Sequence, residues 1–134
     1  MTTDSRGSPF RSWNGREPFR IHPGVSIHSI GGEQTLLCRV TYEPGTTVAR
    51  HAHEQSEQVM AIVEGEVTMT VGDETRTLRP GDVAVVNRGM EHELRSEGGV
   101  TFFEGLAPVP LDHVGDREHD LVLGPDGGRT HVER

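Results

Sequence analysis

From Gln58 to Asp82 three short runs, QVMAIVE, EVTMTV and TRTLR, are separated by Gly65, by Gly72-Asp73 and by Pro80-Gly81. Turn residues recurring this often leave no room for a helix, which needs an i, i+3, i+4 apolar pattern sustained over several turns. Short runs rich in Val, Thr and Ile between Gly and Pro breaks read instead as a meander of strands. The same rhythm continues on both sides. VSIHSI and TLLCRVTY flank Gly31-Gly32, Glu43-Pro44-Gly45 makes a further turn, and AVVN, EHELRS and GVTFFEGL supply return strands. In QVMAIV both alternating faces are apolar, Met60 and Ile62 on one and Val59, Ala61 and Val63 on the other, which predicts a strand covered on both sides in a barrel or sandwich wall. The fold class expected is all-β.

With 134 residues the chain has the length of one domain. Residues 1–20 read as a polar, Gly/Arg-rich N-terminal arm whose Phe10, Trp13 and Phe19 dock on the domain or on a partner subunit. Residues 21–112 read as the barrel and 113–134 as a polar tail with one apolar patch, Leu121-Val122-Leu123. The formal net charge of −8 excludes the clustered positive charge that nucleic-acid binding requires. All 13 basic residues are Arg, so a Schiff-base lysine, a pyridoxal phosphate anchor and a P-loop are excluded as well. Cys38 has no second cysteine to pair with, and no apolar run approaches membrane-span length; the expectation is a cytoplasmic protein with no membrane partner.

The chemistry concentrates in RHAHEQSEQVMAIVEG. Side chains at i and i+2 of a strand share a face about 6.5–7 Å apart, so His51 and His53 aim into one volume past the small Ala52. Gln58 opens the next strand and can return to that volume. GDVAVVNRGMEHEL offers a third imidazole, His92, at the start of another strand. Three imidazoles and one oxygen suit a divalent transition metal, Zn, Ni, Fe or Mn.

These two segments resemble the paired motifs of the cupin superfamily. The first family pattern is Gly, five residues, H-x-H, three or four residues, Glu, six residues, Gly. It is matched by Gly45-TTVAR-His51-Ala52-His53-EQSE-Gln58-VMAIVE-Gly65. The second is Gly, five residues, Pro-x-Gly, two residues, His, three residues, Asn, matched by Gly81-DVAVV-Asn87-Arg88-Gly89-ME-His92-ELR-Ser96. Gln58, Asn87 and Ser96 depart from the pattern. The resemblance extends over roughly residues 20–110 and implies a single jelly-roll barrel holding one metal on His51, His53, His92 and a fourth ligand. Counting back from Gly65 favours Gln58 over its neighbour Glu57 as that ligand. A neutral amide in place of a carboxylate leaves the metal centre one unit more positive, which favours Lewis-acid chemistry over oxygen activation.

Within the superfamily, the chain is similar to KdgF-type pectin-degradation proteins, which ketonise 4,5-unsaturated uronate sugars. That likeness maps an acid onto Glu104 and a proline onto Pro108, but Leu106 stands for Phe and Pro110 for Arg. Glu104 is then the candidate proton carrier. With that Arg missing, Arg39 or Arg50 would have to clamp a substrate carboxylate. Tyr42 and Met60 are the remaining candidate substrate contacts. His22, His28, His113, His119 and His131 read as solvated. The expected activity is isomerisation, tautomerisation or elimination on a small oxygen-rich molecule, against a cupin-type iron dioxygenase and a non-catalytic ligand-binding module. The doubly apolar strand and open sheet edges predict a homodimer.

Overall fold

In the computed structural model, which describes residues 8–122 and the backbone of Val132 and Glu133, the chain runs through β1 (Phe19–His22), β2 (Val25–Gly31), β3 (Leu36–Tyr42), β4 (Thr46–His51), β5 (Glu57–Gly65), β6 (Val67–Val71), β7 (Glu74–Leu78), β8 (Val83–Val86), β9 (His92–Ser96) and β10 (Val100–Ala107). The end of the chain adds β11 (Val109–Pro110), a 3-10 turn (Leu111–His113), the short helix α1 (Arg117–Asp120) and β12 (Val132–Glu133), which pairs parallel to β11.

Two antiparallel sheets form the jelly roll, one in the order β1-β2-β3-β10-β5-β8 and the other β4-β9-β6-β7. Period-two alternation decides what each strand gives the core. Cys38, Val40 and Tyr42 of β3, Met60 and Ile62 of β5, and Phe102 and Leu106 of β10 all turn inward to meet Val67, Met69 and Leu94 from the facing sheet. Tyr42 and Phe102 pack edge to face with ring centroids 5.4 Å apart, an arrangement that adds to the area they bury. Gly65 turns β5 toward β6 at φ +79°, and a Cβ there would collide with the carbonyl oxygen of Gly99. Only glycine fits both demands.

Two expectations change. The outer face of β5 is not covered by any of the described residues: Val59 and Val63 are exposed, as are Val83 and Val85 on the neighbouring edge strand β8. Only the inner face meets the second sheet, so an apolar sequence on both faces did not require cover on both. The tail is likewise not wholly a polar appendage, for Leu121 is buried and bridges Gly31, and the Val122 N–H donates to the Gly31 carbonyl. Leu123 and His131 lie outside the described residues. In the arm, Trp13 stacks on Phe103 and donates its indole N–H to the Ser29 carbonyl at 3.2 Å, whereas Phe10 is exposed.

Candidate metal centre

β4 and β9 pair antiparallel with Val48 opposite Leu94 and His51 opposite His92, so that two residues of β4, Ala49 and Arg50, face one of β9, Glu93. The extra residue is a bulge that resets the alternation. Thr46 and Val48 point in, Ala49 and Arg50 both point out, and His51 returns to the inside. The loop after β8 is tied to the first motif by the Gly89 N–H, which donates to the His53 carbonyl at 2.8 Å, with Gly89 at φ +76°. These contacts bring segments some forty residues apart to one end of the barrel.

There, one nitrogen from each of His51, His53 and His92 lies within 4.8 Å of the others. The His51 and His92 ring centroids are 4.2 Å apart, and each ring is 5.2 Å from that of His53. Nδ1 of His51 donates to the Ala49 carbonyl at 2.7 Å and Nδ1 of His92 to the Met90 carbonyl at 3.1 Å. These bonds fix tautomers with bare Nε2 lone pairs, the arrangement metal-ligating imidazoles use. Burial, then the neighbouring rings of His113, His92 and His51, push His53 down to about 4. Burial likewise lowers His92. Both rings are therefore held in their neutral, ligating form.

Gln58 is buried and lines the same cavity; its Nε2 donates to Glu104 Oε2 at 2.7 Å, while Oε1 has no hydrogen-bond partner among the described residues. An unpartnered buried amide oxygen is costly, and an oxygen ligand for a cation is a role that removes the cost. The residues present thus fit a divalent ion, with three imidazoles and one amide oxygen as donors. Glu57 is exposed on the opposite face of β5.

Glu104 is buried on β10, and burial raises its carboxyl well above the usual range, an effect that nearby His113 partly offsets. Its neutral, proton-donating form is favoured accordingly. Tyr42 lines the cavity, its phenol pushed up first by burial and then by Glu104. Met60 is fully buried between Gln58 and Ile62 but does not reach the cavity wall.

The two arginines proposed as clamps are corrected. Arg39 alternates with inward Cys38 and Val40 and so faces solvent. Arg50 is turned out by the bulge, where its Nε donates to Glu91 Oε2 at 2.7 Å and its Nη2 to the Gly72 carbonyl at 2.8 Å. Neither lines the cavity.

His113 is the residue that sequence reasoning missed. It is buried, lines the cavity, donates from Nδ1 to Asp112 Oδ1 at 2.7 Å, and holds Nε2 3.9 Å from Glu104 Oε1; its ring centroid lies 5.4 Å from that of His53. The apolar VPL preceding Asp112-His113 was a signal that the chain turns back onto the barrel rather than leaving it.

The profile of the Cupin_2 family, described as "Cupin domain", matches residues 38–103. Among curated proteins, the tetracenomycin polyketide synthase protein TcmJ of Streptomyces glaucescens is 29% identical over 92 residues, which cover 64% of this chain and 62% of TcmJ. The HTH-type transcriptional regulator PuuR of Escherichia coli is 33% identical over 73 residues, 52% of this chain and 40% of PuuR. The chain thus spans less than two thirds of the length of these relatives. Among solved structures, KdgF from Halomonas sp. superposes with a TM-score of 0.70 at 20% identity, covering 75% of this chain and 94% of KdgF.

Proposed function

We infer from the Cupin_2 match, and from the likeness in fold to KdgF, that the barrel is a cupin domain, and we propose that it is a metal-dependent enzyme acting on a small carbonyl, enol or uronate-like molecule by isomerisation, tautomerisation or elimination. The observation that carries this reading is Gln58 Oε1, without a hydrogen-bond partner among the described residues, beside the imidazoles of His51, His53 and His92. His51, His53, His92 and Gln58 would hold the ion. Bound there, it would supply a Lewis acid that draws electrons from a carbonyl or enol oxygen.

The chain's own groups supply the rest. Gln58 fixes Glu104 through Oε2, which leaves Oε1 on the cavity side to give or take the substrate's proton. Tyr42 and Phe102 form an apolar wall that limits water. The cavity of about 100 Å³ has room for a few waters, at roughly 30 Å³ each in the liquid, which suits a molecule of a few heavy atoms. A larger sugar would extend past Ile21 and His22. No arginine lines it among the described residues, and the chain has no lysine. Among the described residues a substrate carboxylate therefore has no guanidinium to meet, which favours substrates whose charge would be balanced at the metal.

The test is elemental analysis of protein purified without added metal, followed by assay against 4,5-unsaturated galacturonate and small keto and enol acids. About one ion per chain is expected, lost in Gln58→Ala and kept in Glu57→Ala; the reverse pattern overturns the ligand assignment. Oxygen uptake by the iron form, absent from the zinc form, would favour a dioxygenase instead. The PuuR similarity supports a second reading, a ligand-holding module without chemistry, which ligand binding unaffected by metal removal would select.

The solution form we propose is a homodimer through the outer face of β5 and β8. Val59, Val63, Val83 and Val85 make a continuous apolar patch there, and the far edge of β8 carries no strand in its sheet. A second copy offers the same patch in a self-complementary contact.

A further inference from the structure

Asp112 and His113 sit on the 3-10 turn that follows the last barrel strands, and they bring a further polar pair into the cavity beside the imidazole cluster, with the His113 ring centroid 5.4 Å from that of His53. His113 is anchored on one side by Asp112 Oδ1 at 2.7 Å, and on the other it faces Glu104 Oε1 across 3.9 Å. That gap is too long for a direct hydrogen bond, yet one oxygen atom placed beside both groups reaches each at ordinary hydrogen-bond length. Asp112 is 75% exposed while His113 is 8% exposed, so the pair runs from solvent to the cavity wall.

We propose that the Asp112–His113 pair is a substrate-binding device that seats a hydroxyl or enol oxygen between His113 Nε2 and Glu104 Oε1. The proposal rests on the metal-enzyme reading and deepens it. An ion held by the imidazoles would take one oxygen of the substrate, and the His113–Glu104 gap takes a second, which selects molecules with oxygens on neighbouring carbons. Asp112 acts through His113, holding Nδ1–H so that Nε2 faces the cavity. His113 touches the substrate; Asp112 positions it.

The test uses the full chain loaded with zinc and titrated with glycolate, the smallest molecule with a hydroxyl beside a carboxylate, observed by long-range proton–nitrogen NMR of the histidine rings. His113 Nε2 is expected to shift saturably with glycolate. His113→Asn, whose amide reaches Asp112 but not Glu104, is expected to weaken glycolate about tenfold, the worth of one hydrogen bond. His113→Gln, whose longer amide reaches the Nε2 position, is expected to stay within about threefold of the parent, with zinc content unchanged in both. In Asp112→Ala the ring is expected to take up the Nε2–H tautomer in a measurable fraction. An unmoved His113 resonance, or equal glycolate affinity in the parent and both His113 variants, overturns the proposal; if His113→Asn does not fold, the parent's resonance decides. Failure of the parent to take up zinc instead overturns the metal reading. Glycolate is then titrated into the metal-free chain, and an unmoved His113 there overturns this proposal too.

Discussion

The chemistry of single residues decides whether the three imidazoles are usable as a site. His53 is held down to about 4 from an ordinary 6.5 because the folded chain takes it out of water and surrounds it with other rings. The unfolded chain therefore binds the proton that the folded chain refuses, so this group's share of stability is full above pH 6.5 and is lost as pH falls from about 6.5 to about 4. Metal-free protein should show that loss in chemical denaturation across the window, and His53→Asn, with no ring to titrate, should flatten it. Glu104 has the opposite tendency, since burial favours its protonated form. Glu104→Gln keeps the contact with Gln58 while removing the ionisable group; it should match or exceed the parent's melting temperature and reduce turnover about 10²–10⁴-fold. Unchanged turnover would remove Glu104 from the reaction. That His51, His53, Gln58 and His92 would line one cavity was legible in the motif spacing. The pairing of His113 with Asp112 was not, because adjacent residues in a tail-like sequence carry no sign of what they fold against.

At the scale of elements, a bulge and two glycines place the site. Alternation counted from Thr46 and Val48 would send Arg50 inward, which is the arrangement a carboxylate clamp needs. The extra residue between Val48 and His51 sends Arg50 out and His51 in. A bulge leaves no mark in the hydrophobic pattern, since Ala49 is neutral to either face, and so the arginine assignment could not be corrected from sequence. Gly65 was visible as a turn, but its reason is tertiary: the carbonyl oxygen of Gly99 occupies the space of a side chain. Gly65→Ala should cost about 1–3 kcal/mol, read as a lower urea midpoint with an unchanged slope. A neutral result would mean that the β5–β6 turn relaxes without cost.

For the whole molecule, the open question is what meets the outer face of the longer sheet. Val83 and Val85 are 59% and 56% exposed and continue the patch of Val59 and Val63. A homodimer through this face predicts twice the chain mass by light scattering, and Val85→Glu should shift it to monomer while leaving metal content intact, because the cavity is lined from the inner faces. Parent protein of single-chain mass would leave the patch without its proposed partner. The patch was legible as a doubly apolar strand. Which face the core would take was settled only when the second sheet packed on Met60 and Ile62.

The sequence alone determined the strands between residues 25 and 106, the turn positions, and the ligand-type residues at motif spacing, because each of these depends on neighbours a few positions away: side-chain period, glycine at positive φ, proline at a turn. Only the tertiary structure decided which arginines are excluded from the cavity, which amide oxygen is left without a partner, and that His113 joins the site. Those outcomes depend on register between distant strands and on burial, and both are set by packing of segments that the chain order keeps far apart.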